Sequence, residues 1–119
     1  MHKSNIVRIF ANMNNKEYNE EEIYIAKLGK ALANPARIAI LKFLANRETC
    51  FFGDIHEELP IAKSTVSQHL NELKEIGLIQ GDIEPPKVRY CIKKENWLIA
   101  KKLLTNFFEI DNSKKCKCK

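Results

Sequence analysis

The run Ser64-Thr65-Val66-Ser67-Gln68-His69-Leu70-Asn71-Glu72-Leu73-Lys74-Glu75-Ile76-Gly77-Leu78-Ile79 constrains the fold more than any other stretch of the chain. Val66, Leu70 and Leu73 recur at helical spacing and make a narrow apolar stripe, so the run reads as a short helix with one buried edge. Gly77 stops it, and a strand-like segment follows. Opposite the stripe sit Ser64, Thr65, Gln68 and Asn71, short hydrogen-bonding side chains of the kind that reach base edges and phosphate oxygens in a major groove. An ordinary amphipathic surface helix has the same pattern. The flanking elements decide between the two.

A helix is expected from about Glu20 to Ala33, with Tyr24, Leu28, Ala31 and Leu32 as its apolar face. Asn34-Pro35 forces a boundary, because proline disfavours helix at the residue before it and suits a first helical turn. Asn34 is then the N-cap of a second helix through Ala45. Ile38, Ile40, Leu41, Phe43 and Leu44 are too many apolar positions for a one-sided surface helix, so this one is expected at the centre. A third, short helix is expected over Phe51–Glu58, with Phe52, Ile55 and Leu59 turned inward and Pro60 in the following turn. Two helices joined by a short turn, the second with a polar outer face, make a helix-turn-helix.

Beyond Gly77, Leu78-Ile79 and Val88-Arg89-Tyr90-Cys91-Ile92 read as two strands of a hairpin with Asp82–Lys87 at its tip. Pro85 and Pro86 cannot donate to a ladder, which keeps them at the loop or an edge. A last helix is expected over Asn96–Ile110, with Trp97, Ala100, Leu104, Phe107 and Phe108 on one face. Leu98, Ile99 and Leu103 widen that face beyond the needs of one small core, and a partner subunit is the simplest cover.

At 119 residues and 45% apolar content the chain fits one domain with a small core. The organisation expected is an arm or loosely docked helix over 1–20 (Ile6, Ile9, Phe10, Met13), a mainly α winged helix-turn-helix domain with a small β-hairpin wing over 21–110, and a basic Cys-x-Cys tail over 111–119. The net charge of +5 favours an anionic partner such as nucleic acid, although Lys114, Lys115, Lys117 and Lys119 supply much of it from the tail. No apolar stretch has the length of a membrane span and no signal-like apolar core opens the chain, so the expected compartment is the cytosol. There, Cys50, Cys91, Cys116 and Cys118 are too few and too unevenly spaced for a disulfide framework; free thiols or soft-metal ligands are expected.

The order of these elements is that of a winged helix-turn-helix protein, and three segments resemble the ArsR/SmtB family of bacterial metal-responsive repressors. Leu32-Ala33-Asn34-Pro35-Ala36-Arg37-Ile38-Ala39-Ile40-Leu41 resembles the family's L-x-(D/N)-P-x-R-x-x-I-L segment. Thr65-Val66-Ser67-Gln68-His69-Leu70 is similar to its x-V-S-x-H-L recognition helix, and Leu73–Ile79 to its L-x-x-x-G-L-(V/I). The resemblance covers roughly residues 21 to 109. It implies a homodimer held by the first and last helices, with recognition helices in successive major grooves of a palindromic operator, and repression relieved by an inducing ion. The family often has serine where this chain has Ala62, which leaves Ser64 as the expected cap.

On that frame Thr65, Ser67 and Gln68, near the helix start, are the expected base readers. Lys63 and Ser64 are placed for phosphate, aided by the helix dipole, and Lys87 and Arg89 on the wing for backbone or minor-groove contact. A solvated hairpin is the alternative for the last two. Glu72 and Glu75 repel phosphate and are expected to point away from DNA. His69 flanks the apolar stripe with Thr65 and Leu73 one turn away, a setting for a hydrogen-bonded packing residue rather than a metal ligand.

The arsenic-responsive branch opens its third helix with an E-L-C-V-C-D-L box. The matching stretch here is Glu48-Thr49-Cys50-Phe51-Phe52-Gly53-Asp54-Ile55, which keeps one cysteine and lacks the second. Zinc-sensing relatives carry Asp and His ligands on the last helix, and this chain has no histidine beyond His69. Trivalent arsenic and antimony bind three thiolates in a pyramid, so Cys50, Cys116 and Cys118 are the candidate ligands, with As(III) or Sb(III) as inducer and no resident cofactor. A regulator answering thiol oxidation or another soft metal is the second reading. Cys91, alternating with Tyr90 on a wing strand, is expected to be structural in any of these readings. A thiol-rich metal-binding protein that never touches DNA is the third. No catalytic constellation is visible, and an enzyme is not expected.

Overall fold

Three acidic residues behind an asparagine start the first helix, α1 (Glu20–Ala31), in the computed structural model, which describes residues 17–82 and 89–111. Asn19 and Glu22 form a reciprocal capping box: the Glu22 amide donates to Asn19 Oδ1 at 2.7 Å and the Asn19 amide to Glu22 Oε1 at 3.1 Å. Asn34 caps α2 (Pro35–Ala45) as expected, its Oδ1 accepting from the Ala36 amide at 2.8 Å with Pro35 in the first turn. Ile40, Leu41 and Leu44 bury α2 in the core, while Ile38 faces outward.

The helix expected over Phe51–Glu58 does not form. Phe51–Phe52 is a two-residue strand, β1, and only Ile55–Glu57 winds, as a 3₁₀ turn. The reason is local and tertiary at once. Gly53 sits at φ 129°, outside any helix, and Phe51 is drawn into a strand pairing where its ring meets Phe43 edge-on at 5.1 Å and Tyr90 at 5.9 Å. Ile55 is buried as expected, but Phe52 is 69% exposed instead of turned inward.

α3 (Lys63–Glu75) follows the turn and buries His69, Leu70 and Leu73. β2 (Ile79–Asp82) and β3 (Arg89–Ile92) make the hairpin, and β1 adds to it on the far side of β3, giving an antiparallel sheet in the order β1-β3-β2. Phe51 pairs with Tyr90 and Phe52 with Arg89; Ile79 pairs with Ile92. The hairpin tip, with Lys87, lies outside the described residues. α4 (Lys94–Phe108) returns against α1, with Ala100 buried and Trp97, Leu103 and Leu104 packed on the common core. This is a winged helix-turn-helix, mostly helical with a small three-stranded sheet. Among the described residues no helix is long and apolar enough to cross a membrane.

Candidate nucleic-acid interface and thiol pair

α3 owes its two faces to where its neighbours grip it. Leu70 and Leu73 sit in the core, and His69, 8% exposed, lies against α2. Its Nδ1 accepts from Arg37 Nε at 3.1 Å, which leaves the imidazole proton on Nε2. The same guanidinium reaches back to the carbonyls of Lys30 and Ala31, each at 3.4 Å, at the end of α1. One arginine thus fastens three helices. Burial, and then the Arg37 charge, hold the His69 pKa below its ordinary value of 6.5, so it is a neutral acceptor at neutral pH. The hydrogen-bonded packing histidine expected from the sequence is found, more deeply buried than its position beside the stripe implied.

The opposite face is open. Lys63, Ser64, Ser67, Gln68 and Asn71 are all exposed. Thr65 is half-buried on the flank and its hydroxyl donates to the Ala62 carbonyl at 3.0 Å, so of the three expected base readers Ser67 and Gln68 stand clear and Thr65 is turned aside. The N-cap is Ala62, without a side-chain cap, and Ser64 lies inside the first turn instead of taking the cap. No acidic residue occupies that turn. The helix therefore presents its dipole and Lys63 at one end, uncovered by any side chain of its own.

Glu75 departs from expectation. It is exposed, and the spacing 64, 68, 71, 75 puts it on the same helical stripe as Ser64, Gln68 and Asn71. Eleven residues at a 1.5 Å rise place it about 16 Å along the axis from Ser64, so distance rather than direction keeps its charge from the start of the helix. Glu72 is half-buried, seven residues on from Thr65 and on the same flank. Asn71, not among the expected readers, joins the open face. Arg89 is exposed on β3, opposite Phe52 and Asp82.

Two contacts fix the far end of α3. Asn96, wholly buried on α4, donates from Nδ2 to the Gly77 carbonyl at 2.9 Å. Lys74 Nζ donates to the Gly81 carbonyl at 2.7 Å, tying α3 to the start of the wing. Arg37 was legible as part of a motif; Asn96 carried no sequence signal at all.

The cysteines differ from the free thiols expected. Cys50 and Cys91 are joined by a disulfide bond, with Cα atoms 4.4 Å apart. The β1–β3 register explains the meeting, because Phe51 opposite Tyr90 puts Cys50 opposite Cys91 one step further along. Both are half-buried. Cys116 and Cys118 lie outside the described residues. Elsewhere, Asp54, His56 and Glu57 bring ligand atoms within 4.8 Å of one another on the 3₁₀ turn, a grouping that shares nothing with the cysteine set. Tyr90 closes the sheet from inside, its hydroxyl donating to the Gly53 carbonyl at 3.1 Å, with burial pushing its pKa up to about 12.

Comparison with known proteins bears on the same region. The family model described as "Bacterial regulatory protein, arsR family" matches residues 34–80, from the cap of α2 into β2. The chain is 38% identical over 71 residues to the HTH-type transcriptional regulator CmtR of Mycobacterium tuberculosis, covering 60% of this chain and 59% of CmtR. It is 32% identical over 77 residues to the HTH-type transcriptional regulator YgaV of Escherichia coli, covering 63% of this chain and 78% of YgaV. To the transcriptional activator HlyU of Vibrio cholerae it is 33% identical over 82 residues, covering 69% and 75%.

Proposed function

Because the chain belongs to the ArsR family of bacterial regulatory proteins, a family of DNA-binding transcriptional regulators and not of enzymes, we propose that it is a repressor that binds a palindromic operator as a homodimer. The observation that carries this reading is the open polar face of α3 (Lys63, Ser64, Ser67, Gln68, Asn71) on a helix clamped from behind through His69 and Arg37. A helix offered to a groove must be rigid in register, since side chains as short as serine reach base edges only when the backbone is held close. Ser67, Gln68 and Asn71 read bases; Lys63 and Ser64 take phosphate; Arg89, and Lys87 beyond the described residues, take the backbone beside the wing.

The dimer is supported by α4, where Leu98 is 62% exposed, Phe107 48% and Phe108 75%, with Ile110 at 63% just beyond. Apolar side chains so exposed on one helix are what a second copy would cover. HlyU is a transcriptional activator, so the sign of regulation rests on this reading and not on likeness.

The inducer in this reading is a thiophilic ion, trivalent arsenic or antimony, held by thiolates of Cys50, Cys116 and Cys118. Cys50 is free to serve only when its bond to Cys91 is open. The cytoplasm is the compartment that this work requires. Fluorescence anisotropy with the chain's own upstream DNA tests the whole reading. Saturable binding that arsenite reverses is expected; binding that arsenite leaves unchanged in reduced protein removes the metalloid as inducer, and no binding at any concentration removes the repressor.

A further inference from the structure

The disulfide between Cys50 and Cys91 joins residues 41 apart in sequence, and the loop it closes holds β1, the 3₁₀ turn, α3 and β2, the candidate DNA-reading unit and the start of its wing. Cys50 follows α2, which carries Arg37, and Cys91 lies on β3, which carries Arg89. Besides the bond, the two ends are held by the short β1, with its two register pairs Phe51–Tyr90 and Phe52–Arg89, by the Phe51 ring against Phe43 and Tyr90, and by the Tyr90 hydroxyl on the Gly53 carbonyl. A strand that short adds little stability by itself.

We propose that Cys50 and Cys91 form a reversible oxidation site, closed by a peroxide-class oxidant and opened by a small thiol, and that closure holds α3 and the wing in their DNA-binding geometry. The proposal rests on the reading of the chain as a DNA-binding regulator. Such a protein meets DNA where thiols are ordinarily kept reduced, and a cystine in that setting is a transient event rather than a structural staple. The surroundings suit the chemistry. The two cysteines, both half-buried, line an open cleft of about 550 Å³, room enough for a small reagent. Arg47 and Lys94 line it too, alongside the carboxylates Glu48 and Glu95.

The step balances on the pair itself. One thiolate attacks the peroxide: a sulfur–oxygen bond forms, the oxygen–oxygen bond breaks, and the departing hydroxide takes a proton to leave as water. The second thiolate displaces hydroxide from the sulfenic sulfur, forming the disulfide and a second water. Two electrons pass from the sulfurs to the peroxide. Reduction runs by thiol–disulfide exchange, with two molecules of glutathione becoming one glutathione disulfide. The closed pair also withholds Cys50 from any thiophilic ion, so oxidation and metalloid binding would compete for one sulfur.

The test uses the full chain, treated with hydrogen peroxide and then with reduced glutathione, with the cysteine linkage mapped by differential alkylation and operator affinity followed by anisotropy. Peroxide is expected to yield the Cys50–Cys91 linkage, glutathione to remove it, and the reduced form to bind operator about fivefold or more weakly, the lower end of ordinary coupling between sites. Cys91→Ser and Cys50→Ser are each expected to stay at the reduced affinity in peroxide. If either variant fails to fold, the two states of the unmodified protein still decide. A bond that survives glutathione, a linkage through other cysteines, or equal affinity in both states overturns the proposal. A correct, reversible linkage in a protein that binds no DNA in either state overturns the repressor reading and the switch with it, and the mapping tells that failure from the others.

Discussion

Asn96 and Gly77 are fitted to one another: Asn96 Nδ2 donates to the Gly77 carbonyl at 2.9 Å, and a methyl group added at position 77 would lie 2.6 Å from that same nitrogen. Gly77 also has φ 90°, a conformation that other residues adopt at a cost of about 1–3 kcal/mol. The end of α3 is therefore set by a buried residue of α4, the helix with the exposed apolar face. Whatever moves α4 acts directly on the end of α3.

Gly77→Ala is expected to destabilise the protein by about 1–3 kcal/mol, and Asn96→Ala by a similar amount, because it leaves the Gly77 carbonyl buried without its donor, about 1–3 kcal/mol. Removing the Asn96 side chain also removes the clash, so the double variant should cost less than the sum. Urea unfolding of the four proteins measures this; strict additivity would show that the two residues are not coupled.

Acid should loosen the grip on α3. The folded His69 pKa is lowered by burial and by Arg37, so between its ordinary value of 6.5 and the depressed folded value the unfolded chain binds the extra proton. Stability is full above that window and falls as pH drops through it. The urea midpoint should therefore begin to decline as pH falls through the ordinary histidine value of 6.5 and go on declining to the depressed folded value. His69→Gln, which keeps an acceptor and cannot titrate, should flatten the decline; an unchanged slope would acquit His69.

Tyr90→Phe removes the donor to the Gly53 carbonyl while keeping the ring against Phe51. The expected loss is about 0.5–1.5 kcal/mol, rising towards about 3 if the carbonyl is left dry. Thermal unfolding reads it directly, and no change in midpoint would mean that water replaces the hydroxyl.

Lys63→Ala and Arg89→Ala should weaken binding on specific and random DNA alike and reduce the salt slope by about one each, as expected for phosphate contacts. A loss confined to the specific site would make them base readers instead.

Phe108→Asp places a charge on the most exposed aromatic of α4. Sedimentation should show a dimer converted to monomer, with operator affinity falling in parallel; an unmodified protein that already sediments as a monomer refutes the dimer.

What the sequence revealed was what short-range chemistry decides. Asn34-Pro35 fixes the start of α2 because both the cap and the proline act within one turn. The Val66-Leu70-Leu73 stripe gave the burial of α3, and Gly77 its end. β1 was not legible, because two phenylalanines become a strand only by pairing with β3, some forty residues later. The Cys50–Cys91 bond depends on that same register and was hidden with it. Thr65 and Glu75 show a subtler gap. Composition marked one as a reader and the other as turned away, but helical angle, which the burial of Leu70 and Leu73 sets, put Thr65 on the flank and Glu75 on the open stripe.

The claim that α3 reads DNA is tested most directly by anisotropy titrations of the unmodified protein and Gln68→Ala against the chain's own upstream DNA and a scrambled duplex of equal length. The unmodified protein should prefer the upstream sequence. The substitution should lose about 1–3 kcal/mol of that discrimination while leaving scrambled-duplex affinity unchanged. Equal affinity of the unmodified protein for both duplexes, or equal loss on both, would contradict it.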